Sequence, residues 1–253
     1  MKIGVCIKQV VSRDWPLRVN DRGTWIDDGD ASFEMNEPDA YALEEALRLK
    51  EQHGGEVVVC TAGPTRAAQV IKEGLARGAD RGIHVQSEQM DSADAVTLGS
   101  SLADALKPEA FDLILTGLRS DDQGFGQVGV VLADQLDMSH ATIIMEVVVN
   151  EGTLRVKREL EGGWFQWIEM SLPALLTIQS GINQLRYATL KGIMSAKKKP
   201  VNTIKKELLM SSQQRILELY VPEKEKTTQL ISGDPIEAAA ELVRVMREDV
   251  RVI

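Results

Sequence analysis

The residues best suited to chemistry lie in a glycine-rich loop, GLRSDDQGFGQVG, at positions 117–129. It follows an apolar run typical of a buried strand, 111–116, and precedes a helical pattern. Glycines let a backbone approach a phosphate closely, and the N–H groups at a helix start favour an anion. The spacing is neither G-x-G-x-x-G nor a P-loop, so a plain surface turn explains it equally well, with Asp121 or Asp122 as a solvated charge.

Two other segments carry clustered polar residues, MNEPD at 35–39 and RELEGG at 158–163. A helix N-cap at Asn36 and a charged strand ending in a turn explain them without any ligand. The three histidines, His53, His84 and His140, are scattered, and no motif pairs a nucleophile with a base. We therefore expect no catalytic residues of hydrolysis or acyl transfer, and no metal site.

The elements around these segments predict an α/β fold, with a parallel sheet and helices on both faces, because apolar runs alternate with helical patterns. Ligands of such sheets bind at the carboxyl ends of the strands, where the strand order reverses. Strands are expected at 2–8, 56–61, 82–85 and 111–116, and helices behind Asn36, at 67–75, from an Asp91 cap to about 106, and up to about 136.

The pattern changes after about residue 141. Two β-branched segments flank Asn150-Glu151-Gly152, which is a hairpin signal, and short strands are predicted at 164–170 and 175–179. We expect these to form an antiparallel edge of the sheet. Residues 200–233 have little periodicity, which favours an arm wrapped around a partner chain over a solvated linker. Asp234 and Pro235 then predict the start of a last helix, which ends at about Arg247.

Composition limits the classes of partner. The chain has 253 residues, 43% of them hydrophobic and 26% charged, and a net charge of -9, which disfavours nucleic acids and anionic membranes. Cys6 and Cys60 lie within apolar runs and are predicted to be buried thiols in a reducing compartment. No signal peptide and no apolar stretch of membrane-spanning length is recognisable, so we expect a cytoplasmic protein without membrane insertion.

Several segments resemble one family. NEPDAYALEEA at 36–46, GADRGIHV at 78–85, RELEGG at 158–163, LPALLTI at 172–178 and NQLRYATLKGIMSAKKK at 183–199 are similar to the beta, or small, subunits of electron-transfer flavoproteins. The resemblance extends in consistent order from Met1 to about Pro200. It departs from the family pattern at Leu185, where a proline is usual, and at Glu37.

The resemblance implies a fold like the adenine-nucleotide alpha-hydrolase domains, without hydrolytic activity. Residues 1–185 would bind a nucleotide, and residues 186–253 would form a recognition loop and an arm that packs on a larger alpha subunit. The family shares an FAD with that subunit and passes electrons from flavin-dependent dehydrogenases to a quinone oxidoreductase. The beta chain holds AMP, or a second FAD in electron-bifurcating members. RELEGG at 158–163 and TIQSGIN at 177–183 resemble the AMP-binding members, whereas KQV at 8–10 and QVG at 127–129 resemble the bifurcating ones. AMP is the favoured of the two.

The resemblance also implies particular residues. Arg158 and Glu159 would lie near the partner subunit and its flavin. Arg186, Tyr187 and Leu190 would belong to a recognition loop, 186–195, in which the leucine docks into a dehydrogenase; without the resemblance, a core leucine is the first interpretation. The nucleotide would contact Cys6, Asn36, Glu37, Pro38, Asp39, Ala62, Gly117, Asp122, Gln123, Gly124, Phe125, Gly126, Gln127 and Val128.

Two other classes of protein are weighed against this one. A stand-alone, stress-type nucleotide-binding protein would share the core but would not need the arm. An adenylating ligase would need a true phosphate-transfer loop, which the sequence does not contain.

Overall fold

A computed structural model gives the structure of residues 1–150, 152–207, 212–222 and 228–253, without the side chains of residues 91 and 92. The strands, in chain order, are β1 (Lys2–Cys6), β2 (Gln9–Val11), β3 (Phe33–Met35), β4 (Glu56–Gly63), β5 (Arg81–Gln86), β6 (Leu113–Gly117), β7 (Ser139–Asn150), β8 (Thr153–Glu159), β9 (Phe165–Ser171), β10 (Ala174–Ile178) and β11 (Val201–Lys205). The helices are α1 (Glu37–His53), α2 (Ala68–Arg77), α3 (Ala95–Leu106), α4 (Val128–Gln135), α5 (Leu190–Ala196) and α6 (Pro235–Arg244).

The main sheet has nine strands in the order β11-β5-β4-β1-β6-β10-β7-β8-β9. The strands from β11 to β7 are parallel, and β8 and β9 add an antiparallel edge. Strands β2 and β3 form a separate antiparallel pair. The predicted α/β fold, a parallel sheet with antiparallel edge strands, is confirmed.

Helices cover both faces of the sheet because apolar side chains of successive strand residues alternate between two cores. Leu43 of α1 and Ile71 of α2 belong to one core cluster. Leu102 of α3 and Leu132 of α4 belong to the other, together with the buried thiols of Cys6 and Cys60. Helix α5 packs on α2. None of the described helices is both long and apolar enough to cross a membrane.

The chain divides into two compact units, Met1–Glu218 and Leu219–Ile253. In the second unit α6 begins at its predicted cap, because the Asp234 carboxylate accepts hydrogen bonds from the N–H groups of Ile236 and Glu237. A π-helical turn, Val245–Asp249, follows α6. No described residue of this unit is buried. The division of function at residue 186 stays a prediction.

Three local predictions were wrong. Strand β10 lies inside the parallel sheet between β6 and β7, with all its residues buried, and is not part of an antiparallel edge. Strand β11, in the segment expected to be aperiodic, pairs in parallel with β5. Helix α3 is capped by Asp94, whose carboxylate accepts from the Thr97 N–H, and not by Asp91.

Candidate functional site

A cleft lies at the carboxyl edge of the parallel strands, next to β1, which has β4 on one side and β6 on the other. This is the switch point at which open parallel sheets bind their ligands. The cleft is partly open to solvent, and apolar side chains line it together with a few polar groups, as in small-molecule sites. The predicted residues that line it are Cys6, Asn36, Asp39, Ala62, Gly117, Gln123, Phe125, Gly126, Gln127 and Val128. Glu37, Pro38, Asp122 and Gly124 belong to the same segments but not to the lining.

Asp39, in the first turn of α1, joins the ends of two strands. Its carboxylate accepts a hydrogen bond from the Lys8 N–H at 2.7 Å, behind β1, and from the Gly117 N–H at 2.9 Å, in β6. Burial raises the pKa of this carboxyl to about 7, although the hydrogen bonds oppose the rise. A Cβ at position 117 would lie 2.3 Å from Asp39 Oδ1, so only glycine allows the contact.

Asn36 holds the glycine-rich loop instead of capping α1. Its backbone precedes the helix as predicted, but its side chain makes no capping hydrogen bond. Its Nδ2 donates to the Arg119 carbonyl at 3.1 Å, and its Oδ1 accepts from the Asp121 N–H at 2.9 Å. The start of α1 is therefore fixed to the loop on one side and to two strand ends on the other.

Charged side chains fasten the same loop from outside. Lys8 Nζ lies 2.8 Å from Asp122 Oδ1 and donates to Gln123 Oε1 at 3.1 Å. Burial alone would raise the pKa of Asp122, but Lys8 holds it below its ordinary value. Arg13 forms ion pairs with Glu37 and Asp121. Asp122 therefore supports the loop through Lys8.

The end of the loop leads into α4, whose first residues line the cleft. Gly124 and Gly126 have φ angles of +68° and +64°, which favour glycine. At Gly129 a Cβ would lie 2.7 Å from Thr177 and 2.8 Å from Thr116 side-chain atoms, so α4 packs closely on the sheet. No side chain caps α4 and its first turn has no acidic residue, within the described chain. Such a helix start favours an anion.

Thr61 lines the cleft, and its hydroxyl is buried without a partner in the described part of the chain. Thr61, at the end of β4, is 1% exposed, and its Oγ1 has no hydrogen-bond partner among the described residues. An unpaired buried hydroxyl is costly, and a polar ligand atom would satisfy it. Burial raises the pKa of the neighbouring Cys6 thiol to about 12, which disfavours the nucleophilic thiolate.

Sequence reasoning did not include Lys8, Thr61 or the start of α3 in the site. Ala93, Ala95 and Leu98 line the cleft wall opposite the loop. Lys8 and Thr61 share one signal that could have identified them: each is a polar residue at the end of an apolar strand run. In a parallel sheet that position is the ligand edge.

A second cavity adjoins the cleft and shares part of its wall, including Lys8, Ala62 and Gln123. Trp25 and Phe33 also line this second cavity. Gln9 also lines it, and the Gln9 Oε1 atom is buried without a hydrogen-bond partner in the described part of the chain.

The residues predicted to face other proteins lie elsewhere. Arg158 donates from Nη2 to Thr142 Oγ1 at 3.2 Å, and its buried Nε has no partner among the residues described. Glu159 accepts from Gln179 Nε2 at 3.1 Å. Tyr187 and Leu190 are 92% and 84% exposed, so the core interpretation of Leu190 is wrong.

Fold and cleft define an α/β protein with a ligand site at the switch point of a parallel sheet. The family profile "Electron transfer flavoprotein domain" matches residues 24–209. The chain is 34% identical to the electron transfer flavoprotein subunit beta of Methylophilus methylotrophus, with 98% of each chain covered. It is 35% identical to that of Bacillus subtilis, with both chains covered completely, and 33% identical to that of Homo sapiens. The chain belongs to the electron transfer flavoprotein family, among its beta subunits, and its role lies in electron transport.

Proposed function

We propose that the chain is the nucleotide-binding subunit of a heterodimeric electron-transfer flavoprotein, with AMP in the cleft. A larger alpha subunit would contribute most of the site of an FAD, and the FAD supplies the redox chemistry. Electrons would pass from a flavin-dependent dehydrogenase to a quinone-linked acceptor. The observation that carries this proposal is Thr61 Oγ1, a buried hydroxyl without a partner in the described chain, in a cleft that begins at an uncapped helix.

The cleft suits a purine nucleotide in three ways. Its wall of Ala95, Leu98 and Leu102 is apolar and would bury a flat base. Thr61 offers a hydroxyl to a polar atom of the ligand. The start of α4, together with Lys8, favours the charge of a phosphate. These residues would bind and orient AMP, and none of them takes part in electron transfer.

Exposed apolar side chains support the alpha subunit as partner. The second compact unit, Leu219–Ile253, exposes apolar side chains such as Ile236 and buries none of those described. A segment of this composition needs another protein surface to cover it. A stand-alone stress-type protein would not need this exposed apolar unit.

The adjoining cavity favours a second candidate function. A nucleotide that extends beyond AMP, such as the second FAD of an electron-bifurcating flavoprotein, could continue past Lys8 and Gln123. Its ring N–H would then have an acceptor in Gln9 Oε1. The aromatic side chains of Trp25 and Phe33 suit a flat ring in that cavity.

The nucleotides released on denaturation test both candidates. Heterodimer purified with its alpha subunit is denatured, and FAD and AMP are counted by chromatography against protein. One FAD and one AMP per heterodimer support the first candidate, and two FAD support the second. A colourless homodimer would contradict both.

A matched pair of variants tests the position of the nucleotide. Gly126→Val strains a positive φ in the loop and crowds the Leu118 carbonyl, whereas Gly152→Val strains a positive φ at a hairpin turn far along the chain. We expect the first variant to lose nucleotide and the second to keep it. Full nucleotide content in the Gly126→Val heterodimer would show that the ligand lies elsewhere.

A further inference from the structure

Arg186 is occupied by contacts within this chain. Its Nε donates to Glu44 Oε2 at 2.7 Å and its Nη2 to Glu44 Oε1 at 3.1 Å. Its Nη1 donates to Glu51 Oε1 at 2.6 Å, and Nη2 also reaches Glu51 Oε2 at 3.1 Å. Every nitrogen of the guanidinium therefore bonds to a carboxylate of α1, in the paired geometry that makes arginine contacts strong.

The carboxylates of this cluster are partly removed from water. Glu44 is buried and also accepts from Arg48 Nε at 2.8 Å, so two carboxylates balance two guanidiniums. Burial alone would raise the pKa of Glu44, but the hydrogen bonds from Arg186 and Arg48 lower it. Hydrogen bonds from Arg186 also lower the pKa of the exposed Glu51. A charged cluster with one buried member holds its geometry better than an exposed pair does.

The residues just before Arg186 are fastened to the same helix. Asn183 Nδ2 donates to the Tyr41 carbonyl at 3.1 Å and to Glu45 Oε2 at 3.0 Å. Arg48 Nη2 donates to the Gln184 carbonyl at 3.1 Å. One face of α1 therefore binds the chain from 183 to 186.

The far end of the segment is held by α2. A Cβ at Gly192 would lie 2.2 Å from the Ala76 carbonyl oxygen, so α5 touches the backbone of α2. Lys199 Nζ donates to the carbonyls of Leu75 and Ala79 at 2.9 and 2.5 Å. Between the two attachments, Tyr187 and Leu190 project into solvent.

We propose that Arg186 is a positioning residue: the cluster of Glu44, Arg186 and Glu51 fixes the segment that presents Tyr187 and Leu190, so that the dehydrogenase meets a preformed surface and does not itself contact Arg186. The statement about docking rests on the function proposed above. A surface that is ordered before binding loses less conformational entropy when the partner docks. Arg186 therefore acts on docking through the position of Leu190.

Hydrogen exchange of the full chain tests the clamp without any partner. Four variants are compared with wild type: Arg186→Gln, Glu51→Gln, their double variant, and Arg77→Gln as the control. Arg77 lies beside the segment, in a surface groove that Arg186 and Tyr187 also line, but its ion pair is with Glu73 of its own helix. We expect Arg186→Gln to speed exchange of the hydrogen-bonded amides of Gly192 and Ile193, which donate to Thr189, about tenfold, because a charge-assisted attachment to α1 is lost.

The other variants separate a clamp from two unrelated charges. Glu51→Gln should raise the same exchange severalfold, the double variant should exceed Arg186→Gln by little, and the control should match wild type. If Arg186→Gln does not fold, Glu51→Gln decides, since Glu51 is exposed. Unchanged exchange of the amides of Gly192 and Ile193 in either single variant would overturn the proposal.

Docking is measured separately, with a flavin-dependent dehydrogenase that reduces the wild-type heterodimer. Glu51→Gln should raise KM for that dehydrogenase severalfold at unchanged kcat, which an effect on global stability would not do. An unchanged KM together with faster exchange would overturn the claim about docking. If Leu190→Ala also leaves KM unchanged, the docking function fails, and the exchange data still decide whether the clamp exists.

Discussion

Helix α1 contributes to two regions of opposite character: a cleft with a buried polar atom and a surface segment with an exposed apolar side chain. At its start, Asn36 and Asp39 build a cleft in which a polar atom, Thr61 Oγ1, is buried without a partner among the described residues. Along its length, Glu44 and Glu51 hold a segment from which an apolar residue, Leu190, projects into water. A polar atom of a small ligand would satisfy the hydroxyl in the cleft. An apolar surface of another protein would cover the leucine on the segment.

The difference indicates what each region binds. A buried hydroxyl is satisfied by a single atom, so a small molecule is enough. An exposed leucine on a fixed segment is covered only by another macromolecule, and because the segment is ordered already, that macromolecule can leave without unfolding it. A permanently bound nucleotide and a transient protein partner fit these two requirements.

The largest effect is expected from a substitution at one of two glycines. Gly117, in the cleft, contacts α1, and Gly192, in the exposed segment, contacts α2. Gly117→Ala would place a Cβ 2.3 Å from the buried Asp39, and Gly192→Ala would place one 2.2 Å from the Ala76 carbonyl at the surface. The first should cost about 3 kcal/mol of stability, because the buried neighbours cannot move. The second should displace α5 with a small loss of stability and clearly weaker docking. Thermal melts of both variants, with Gly29→Ala as the control, measure the losses of stability, and reduction by the dehydrogenase measures docking. Equal losses of stability in the two variants would contradict the comparison.

Leu190→Ala should weaken docking about thirtyfold, since truncation of a buried interface anchor loses about 2 kcal/mol. The melting temperature should stay the same, because the side chain is exposed in this chain. Reduction of the heterodimer by the dehydrogenase measures the first effect, and a thermal melt measures the second. A lowered melting temperature with normal reduction would show that Leu190 is structural.

Thr61→Val, inside the cleft, should change stability as well as binding, whereas Leu190→Ala should change binding alone. Removal of an unpaired buried hydroxyl should raise the stability of the nucleotide-free chain by about 1 kcal/mol. The same change removes a hydrogen bond to the ligand and should lower nucleotide affinity about fivefold. Melts of the nucleotide-free chain and a titration with AMP check both signs. Unchanged affinity would place Thr61 outside the nucleotide contacts.

The sequence predicted the elements that have a regular pattern of buried apolar residues. The buried parallel strands are continuous apolar runs, and α1 has apolar residues at helical spacing, so both were predicted. Strand β11 was missed because an exposed edge strand, VNTIK, mixes apolar and polar residues. Strand β10 was predicted as a strand but misplaced, because periodicity does not give the order of strands in a sheet.

The site was predictable where it follows from strand ends and not where it depends on distant contacts. The glycine-rich loop lies behind β6, so its place at the carboxyl edge follows from the fold. Arg186 was predicted to dock a partner, but its carboxylate partners belong to α1, far back in the chain. No local pattern around Arg186 indicates them. The side-chain bonds of Asn36 to the loop were hidden by the simpler explanation of a helix cap.

The smallest expected effect is a difference in pH dependence between the two ends of α1. Burial raises the pKa of Asp39 to about 7 in the folded chain, against about 3.9 when unfolded. Between these values the folded state binds more protons, so the contribution of Asp39 to stability falls as pH rises and is constant above about 7. Glu51 has a lowered pKa, so its contribution is lost as pH falls below its ordinary range.

Urea unfolding of wild type, Asp39→Asn and Glu51→Gln across the range from about pH 4 to 8 resolves the two signs. The stability of wild type minus that of Asp39→Asn should decrease from acid to neutral pH, because asparagine does not titrate. The corresponding difference for Glu51→Gln should increase slightly over the lowest pH values and then remain constant, since Glu51 is exposed. If the Asp39 difference instead increases with pH, the hydrogen bonds from Lys8 and Gly117 outweigh burial. Asp39 would then be a fixed anion at neutral pH, and the cleft would repel a phosphate placed close to it.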